Sequence, residues 1–153
     1  MSSSSQDGGA RRNLIVADIV ARTGIDEPMI DRLVRGFYRR ARNDPLIGPI
    51  FEHEVRDWEE HFARIRDFWS SVSLMSGRYH GQPIAAHQPL PINTAHFDRW
   101  LELFTEAARE VCSPTAAAHF IERAYRIADS LEFGIAAQRG ELRSRQARQP
   151  PCI

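Results

Sequence analysis

The hydrophobic pattern of the chain predicts helices throughout its central part. Between residues 56 and 75, His61, Ile65 and Phe68 recur at intervals of three and four positions, and Trp69 continues the row. This period places side chains on one face of an α-helix. Since no run alternates apolar and polar residues, we expect an all-α fold with four main helices. The other three lie in residues 26–43, 97–112 and 114–138.

The two ends of the chain lack this period. Residues 1–12 are rich in serine and glycine, which predicts disorder, and residues 14–20 predict only a short leader helix. Residues 139–153 are rich in arginine and end in Pro-Pro-Cys-Ile, so we expect a disordered tail. The predicted organisation is an N-terminal extension over residues 1–24, one domain over residues 25–138, and that tail.

Proline and glycine interrupt the pattern at two places. Residues 46–51, with the sequence LIGPIF, predict an irregular apolar corner. Residues 76–91 contain three prolines, two glycines and two histidines. Pro83 can open a short helix, and the two later prolines end it within about two turns, so His87 lies one turn after Pro83. From this local pattern alone, His87 is either a metal ligand or a histidine that caps a turn.

Composition and charge exclude several classes of protein. With 20 basic and 20 acidic residues the formal net charge is zero, which gives no indication of a nucleic-acid partner or a membrane surface. Cys112 falls in a helical run and Cys152 in the tail, so we expect no disulfide and a reducing compartment. Because no transmembrane or signal segment is apparent, we expect a cytoplasmic protein.

The histidine spacings exclude most metal sites. The sequence has no His-Glu-x-x-His, no paired cysteines at zinc-finger spacing and no Cys-x-x-Cys-His, and no carboxylate stands three residues before a histidine, as a di-iron bundle requires. A haem held without thioether bonds fits better, since it needs one axial nitrogen ligand and a mostly apolar pocket. His87 and the helix face that carries His61 are the candidates to supply them.

Several distinctive segments occur in order through residues 25–138. They are Phe37-Tyr38, LIGPIF, Trp58-Glu59-Glu60-His61, Phe68-Trp69, GRYHGQPIAAH (residues 77–87) and FDRWLELF (residues 97–104). Together they resemble one known family, the third group of truncated haemoglobins. The resemblance implies a shortened globin fold, in which two antiparallel helix pairs enclose a b-type haem.

The resemblance also implies a role for individual residues. His87 matches the proximal iron ligand, and we expect the Pro83 carbonyl to orient its ring. Tyr38 and Trp100 match distal hydrogen-bond donors to a bound ligand, and His61 matches the histidine at the distal gate. The remaining cofactor-binding residues that we predict are Phe51, Ile65, Phe68, Trp69, Arg78 and Tyr79, with Arg78 as a candidate partner of a haem propionate.

The expected function is tight binding of O2, NO or another diatomic ligand by a monomer. The alternative is a haem enzyme that oxidises nitric oxide with dioxygen or reacts with peroxide, supplied with electrons by a reductase. A third hypothesis is a helical interaction domain without haem. Without the family context, a tyrosine such as Tyr38 on a helix face is more often a core residue, and Trp100 more often still. His61 is then compatible with a surface contact to Glu59 or Glu60.

Overall fold

The computed structural model describes residues 3–141 and 147–151, with side chains from residue 7 onwards. This part of the chain forms seven helices and no strand, so the all-α prediction is confirmed. None of the seven is long and apolar enough to cross a membrane. They are α1 (Ser3–Thr23), α2 (Glu27–Ala41), α3 (Gly48–Glu54), α4 (Trp58–Leu74), α5 (Pro83–His87), α6 (Thr94–Val111) and α7 (Pro114–Gln138).

Four helices begin at side chains that cap their first turn. Asp26 accepts a hydrogen bond from the backbone N–H of Met29 at the start of α2, and Asp57 accepts one from Glu60 at the start of α4. Asn93 and Ser113 do the same for α6 and α7. Each cap satisfies a backbone N–H that the helix leaves unpaired. The helices are therefore fixed locally before they pack.

The core lies where α2 packs against α4 and α6, and where α6 packs against α7. The apolar stripes that the sequence predicts face inwards here, with Leu33, Phe37, Phe104 and Phe120 all 3% exposed or less. Burial of such side chains is the main favourable term in folding. The framework therefore consists of the four helices that the periodicity predicts.

The corner between α2 and α3 is more regular than the LIGPIF sequence suggests. Its second half is helical from Gly48, where an added Cβ would lie only 2.8 Å from the carbonyl oxygen of Arg42. The buried carboxylate of Asp44 accepts hydrogen bonds from the N–H of Ile47 at 3.0 Å and from Nε of Arg99 at 2.7 Å. The last contact ties the corner to α6.

The predicted disorder of residues 1–12 is wrong from Ser3 onwards, because α1 begins there. Only the end of α1 is anchored, since Ile19 and Thr23 are buried whereas Leu14 is 73% exposed. This end packs against α4 and α7. Extending a helix costs much less than nucleating one, so an anchored C-terminal turn lets the helix continue into exposed residues. Residues 1 and 2 lie outside the described residues.

The predicted tail is not disordered in its described part. Arg148 donates to Asp129 at 2.5 Å, to Asp98 at 2.9 Å, and also to Glu132. These carboxylates come from α6 and α7, so three acidic groups distant from Arg148 in sequence hold the segment 147–151 against the helices. The predictions for residues 142–146 and for Cys152 fall outside the described residues.

Candidate functional site

A cavity of about 530 Å³ opens between α2, α3, α4, α5, α6 and α7. Its volume lies within the range of ligand and cofactor sites, and its walls are mainly apolar and aromatic. All the site residues predicted from the sequence line it except Arg78. Those that do are Tyr38, Phe51, His61, Ile65, Phe68, Trp69, Tyr79, His87 and Trp100.

One wall carries His87, the last residue of the short helix α5. Its Nδ1 lies 2.6 Å from the carbonyl oxygen of Pro83, so the predicted hydrogen bond is present. A carbonyl oxygen can only accept, which places the ring proton on Nδ1 and leaves the lone pair on Nε2. This is the tautomer that a histidine needs to bind a metal through Nε2.

The opposite, distal wall contains a hydrogen bond between Tyr38 on α2 and His61 on α4. The phenol oxygen of Tyr38 lies 2.7 Å from Nε2 of His61. Burial raises the pKa of Tyr38, which is 4% exposed, and burial together with the positive charge of Arg64 lowers the pKa of His61 to about 4. Near pH 7 both groups are neutral, and the tautomer of His61 decides whether the Tyr38 hydroxyl or the Nε2–H of His61 is the donor. The surface contact of His61 with Glu59 or Glu60 is not formed.

Trp100 on α6 completes the distal wall. Its ring stacks on Phe104, with centroids 5.1 Å apart and planes 10° from parallel, and meets Phe37 edge to face at 5.4 Å. Phe104 in turn stacks on Trp69 at 4.9 Å. Within the described residues the indole N–H of Trp100 has no hydrogen-bond partner, so it remains available to a ligand in the cavity.

Charged groups form the rim of the cavity. Arg64 lies there, one turn after His61, and its positive charge acts on both His61 and Tyr79. Arg78 is absent from the lining and instead pairs with Glu27 at 3.2 Å. The structure does not support the propionate contact predicted for Arg78. It presents Arg64 as the better placed cation.

Other lining residues belong to stripes that the sequence assigns only to the core. The helical period of the sequence identifies these residues as lying on the inward face of a helix. It does not indicate whether that face packs against other helices or lines a cavity. Leu90 and Ile92, beyond the end of α5, had no such signal. The lining residues that sequence reasoning placed in the core are Val34, Phe37, Phe97, Phe104, Ile127 and Leu131.

These residues fit a haem. His87 offers one nitrogen ligand from a wall of its own, the cavity is apolar and lined by aromatic rings, and neutral hydrogen-bonding groups face His87 across it. An all-helical chain with a cavity of this kind between its helices is a globin in class.

Comparison with known proteins gives the particular family. Residues 22–132 match the model of the bacterial-like globin family. The group 3 truncated haemoglobin ctb of Campylobacter jejuni is 34% identical over 113 residues, which cover 71% of this chain and 89% of the relative. The group 2 truncated haemoglobin YjbI of Bacillus subtilis is 28% identical over 89 residues, 57% of this chain and 67% of the relative.

A solved structure agrees with the sequence relatives. The crystal structure of the group III truncated haemoglobin from Campylobacter jejuni matches with a TM-score of 0.69 at 34% identity, covering 72% of this chain and 91% of that one. The chain belongs to the bacterial-like globin family, within it to the third group of truncated haemoglobins, and is a haem-binding globin.

Proposed function

We propose that the protein binds dioxygen and other diatomic ligands at a haem held by His87, and that Tyr38 and Trp100 retain the ligand. The observation that carries this proposal is the arrangement of the cavity. A histidine with Nε2 available lies on one wall, and a hydrogen-bonded tyrosine and histidine 2.7 Å apart lie on the other. A diatomic ligand bound between the two walls would meet hydrogen-bond donors.

The proposed cofactor is haem b. When bound, it supplies the iron that takes up the diatomic ligand. The chain has no Cys-x-x-Cys-His for thioether attachment, so side-chain contacts must hold the group. Phe51, Phe68 and Trp69 are placed to cover it, and the hydrogen bond to Pro83 orients His87. We propose Arg64, whose side chain is 57% exposed and has Glu60 at 3.4 Å, as the partner of a propionate at the rim.

Tyr38 has two hydrogen-bond partners in this proposal. Its hydroxyl is hydrogen-bonded to Nε2 of His61, and with ligand present it donates to the ligand, whose bound form carries partial negative charge. Trp100 donates as well, because its indole N–H has no other partner among the described residues. Each such hydrogen bond contributes about 0.5–1.5 kcal/mol net, so two donors slow ligand release by roughly one to two powers of ten.

A second candidate is an enzyme that uses the same haem for peroxide or nitric-oxide chemistry. The observation that favours it is the position of His61, whose imidazole lines the cavity 2.7 Å from the Tyr38 hydroxyl and could exchange a proton with a substrate there. Donors on the same wall would stabilise charge that develops on a substrate oxygen. An enzyme of this kind requires a reductase to return the iron to its working state.

Stopped-flow kinetics of the ferrous protein distinguish the two functions. We expect slow release of dioxygen, and release that becomes faster when Tyr38 and Trp100 are both replaced by Phe. The matched control is Tyr125→Phe, a tyrosine on α7 that does not line the cavity. Turnover of peroxide or nitric oxide well above that of free haemin, with a reductase present, favours the enzyme. Absence of a Soret band after haem addition overturns both.

A further inference from the structure

The short helix that carries His87 cannot fix its own position. α5 has five residues and none of them is buried. Isolated helices this short are unstable in water, because nucleation fixes several residues for one hydrogen bond. The bond from His87 to Pro83 sets the ring relative to α5 but does not place α5 in the molecule. The position of the proximal histidine must therefore depend on contacts from outside α5.

The first such contact is with Gly134 on α7, against which α5 packs. A Cβ added at Gly134 would lie 2.7 Å from Cδ1 of Ile84 and 3.3 Å from its Cγ1. Ile84, the second residue of α5, therefore lies directly on the backbone of α7. Glycine inside a helix costs about 1 kcal/mol relative to alanine, and here its missing side chain is what permits the approach.

The second contact comes from Arg139, the residue that follows α7. Its Nη2 donates to the carbonyl oxygen of Gln88 at 2.8 Å and to that of Leu90 at 3.0 Å. These carbonyls lie in the segment just beyond His87, and that of Leu90 also accepts a hydrogen bond from the N–H of Ile92. The guanidinium joins both carbonyls to the end of α7 with charge-assisted bonds.

We propose that Gly134 and Arg139 form a clamp that positions α5, and through it the imidazole of His87, relative to the cavity. The proposal rests on the proposed role of His87 as iron ligand. Both are positioning residues, since neither lines the cavity. Both also lie beyond residue 132, where the match to the globin family ends. The sequence predicts that Gly134 lies near the end of a helix and Arg139 in a tail. In this proposal both residues position the iron ligand.

The test of the clamp is Arg139→Met, which keeps the length of the side chain and removes its donors. Arg126→Met is the matched control, because Arg126 is exposed on α7 and, within the described residues, pairs with Glu122 one turn earlier. One readout is the iron–histidine stretching band of the ferrous ligand-free protein, measured by resonance Raman. The other is amide hydrogen exchange of Gln88 and Leu90 in the protein without haem.

We expect Arg139→Met to shift or broaden the iron–histidine band and to speed exchange at Gln88 and Leu90 about three- to tenfold, a range that allows for solvent exposure of the guanidinium. Arg126→Met should change neither readout. Arg139→Lys should recover part of the effect, because an ammonium can donate to one carbonyl but lacks the planar fork. Parental values of both readouts in Arg139→Met overturn the clamp.

Gly134→Ala tests the contact between Gly134 and Ile84 by adding a methyl group at position 134. The added Cβ meets Cδ1 and Cγ1 of Ile84, and we expect α5 to move away from α7 and the band to shift. The double variant Gly134→Ala with Ile84→Ala removes the clash and should bring the band back towards its parental position. If Gly134→Ala alone leaves band and exchange unchanged, the part assigned to Gly134 is wrong.

Failure of the clamp differs visibly from failure of the proposed function. If the parent protein has no iron–histidine band, or if His87→Gly retains it, His87 is not the ligand and the proposed function fails. Exchange in the haem-free protein still decides whether Arg139 holds α5. If the band depends on His87 but neither readout depends on Arg139, the proposed function stands and the clamp is overturned.

Discussion

The two walls of the cavity are built in different ways. The distal wall comes from the long helices α2, α4 and α6. Its polar groups Tyr38 and His61 are hydrogen-bonded to each other although they lie 23 positions apart in the sequence. The proximal wall is a five-residue helix with no buried residue, and the bond of His87 to Pro83 spans only four positions. One wall is held by the core and the other by local turn chemistry and a few outside contacts.

This contrast matters because the two walls have different tasks. In the proposed function the distal groups donate to a ligand as neutral side chains, and long helices packed in the core hold them in place. The proximal group must present one nitrogen at a fixed place, for which a short helix is sufficient if something restrains it. Substitutions on the proximal side should therefore change how the cofactor is held, and substitutions on the distal side should change how the ligand is held.

His87→Gly should have the largest effect of any single substitution. It removes the proposed iron ligand while the rest of the cavity remains, so haem affinity should fall by more than the roughly 10- to 100-fold that loss of a ligand's hydrogen-bond partner costs. Haem transfer to an acceptor apoprotein measures the loss. Added imidazole should restore the ferrous spectrum, because it can occupy the space that the side chain vacates.

The control for this substitution is His80→Gly, an exposed histidine in the loop before α5 that does not line the cavity. Its spectrum and haem affinity should match those of the parent. A ferrous spectrum unaltered by His87→Gly would show that another residue binds the iron.

Replacing both Tyr38 and Trp100 with Phe should have the next largest effect, confined to the ligand. If Tyr38 and Trp100 both donate to the ligand as proposed, the dissociation rate of dioxygen should rise by roughly one to two powers of ten while haem affinity changes little. Stopped-flow dissociation measures the rate. The two single variants show how the effect divides.

The opposite result would also be informative. If the double variant lost haem but released dioxygen at the parental rate, these side chains would be packing residues, and the distinction between the two walls would be wrong. Phe37→Leu is a suitable packing control. Phe37 contacts both aromatic rings, at 4.9 Å from Tyr38 and 5.4 Å from Trp100, but carries no donor.

His61→Leu should change the pH dependence of stability in the haem-free protein. Burial lowers the pKa of His61 in the fold to about 4 from an ordinary 6.5, so the unfolded chain binds the proton more readily. The stability that His61 contributes is complete above pH 6.5 and is lost as the pH falls towards 4. After allowance for partial screening this amounts to roughly 1–2 kcal/mol. Urea unfolding between pH 4 and pH 7 measures it.

His119 provides the matched comparison for this titration. It lies on α7 outside the cavity, and burial lowers its pKa to about 4 as well. His119→Leu should flatten the same pH dependence without changing dioxygen release, whereas His61→Leu should change both. If His61→Leu has the same dependence of stability on pH as the parent, the pKa of His61 is not lowered by burial, and the distal wall is more accessible to water than proposed.

The features that can be predicted from the sequence are those fixed by neighbours in the chain. Helix starts at Asp26 and Asp57 follow from the capping chemistry of one turn, and inward faces follow from the helical period. The hydrogen bond from His87 to Pro83 also spans one turn, so the short helix implies it. Local physical chemistry is sufficient for these features.

The features that escape prediction depend on contacts between distant residues. Whether α1 continues to Ser3 depends on the anchoring of Ile19 and Thr23 against other helices, which composition does not report. The docking of Arg148 depends on carboxylates 16 to 50 positions away. The choice between Arg78 and Arg64 at the cavity rim is of the same kind, since nothing local marks which arginine faces a cofactor.

That choice gives the smallest and most selective prediction. Arg78→Ala should leave haem affinity unchanged, because its guanidinium pairs with Glu27 and lies away from the cavity, and its loss should cost at most about 1 kcal/mol of stability. Arg64→Ala should weaken haem binding about two- to fivefold, the range of an exposed ion pair, since this residue lies on the rim. Haem transfer to an acceptor apoprotein measures both.

The effect of Arg64→Ala should shrink as salt is added, because solvent ions screen an exposed pair, whereas the loss in His87→Gly should not. Equal haem affinity in the two arginine variants would remove Arg64 as a propionate partner. A larger loss of haem affinity in Arg78→Ala would identify Arg78, in the loop before α5, as the propionate partner. Both polar contacts to the haem, from Arg78 and from His87, would then come from the proximal side. The distal wall would contact only the ligand, which would separate the tasks of the two walls more completely.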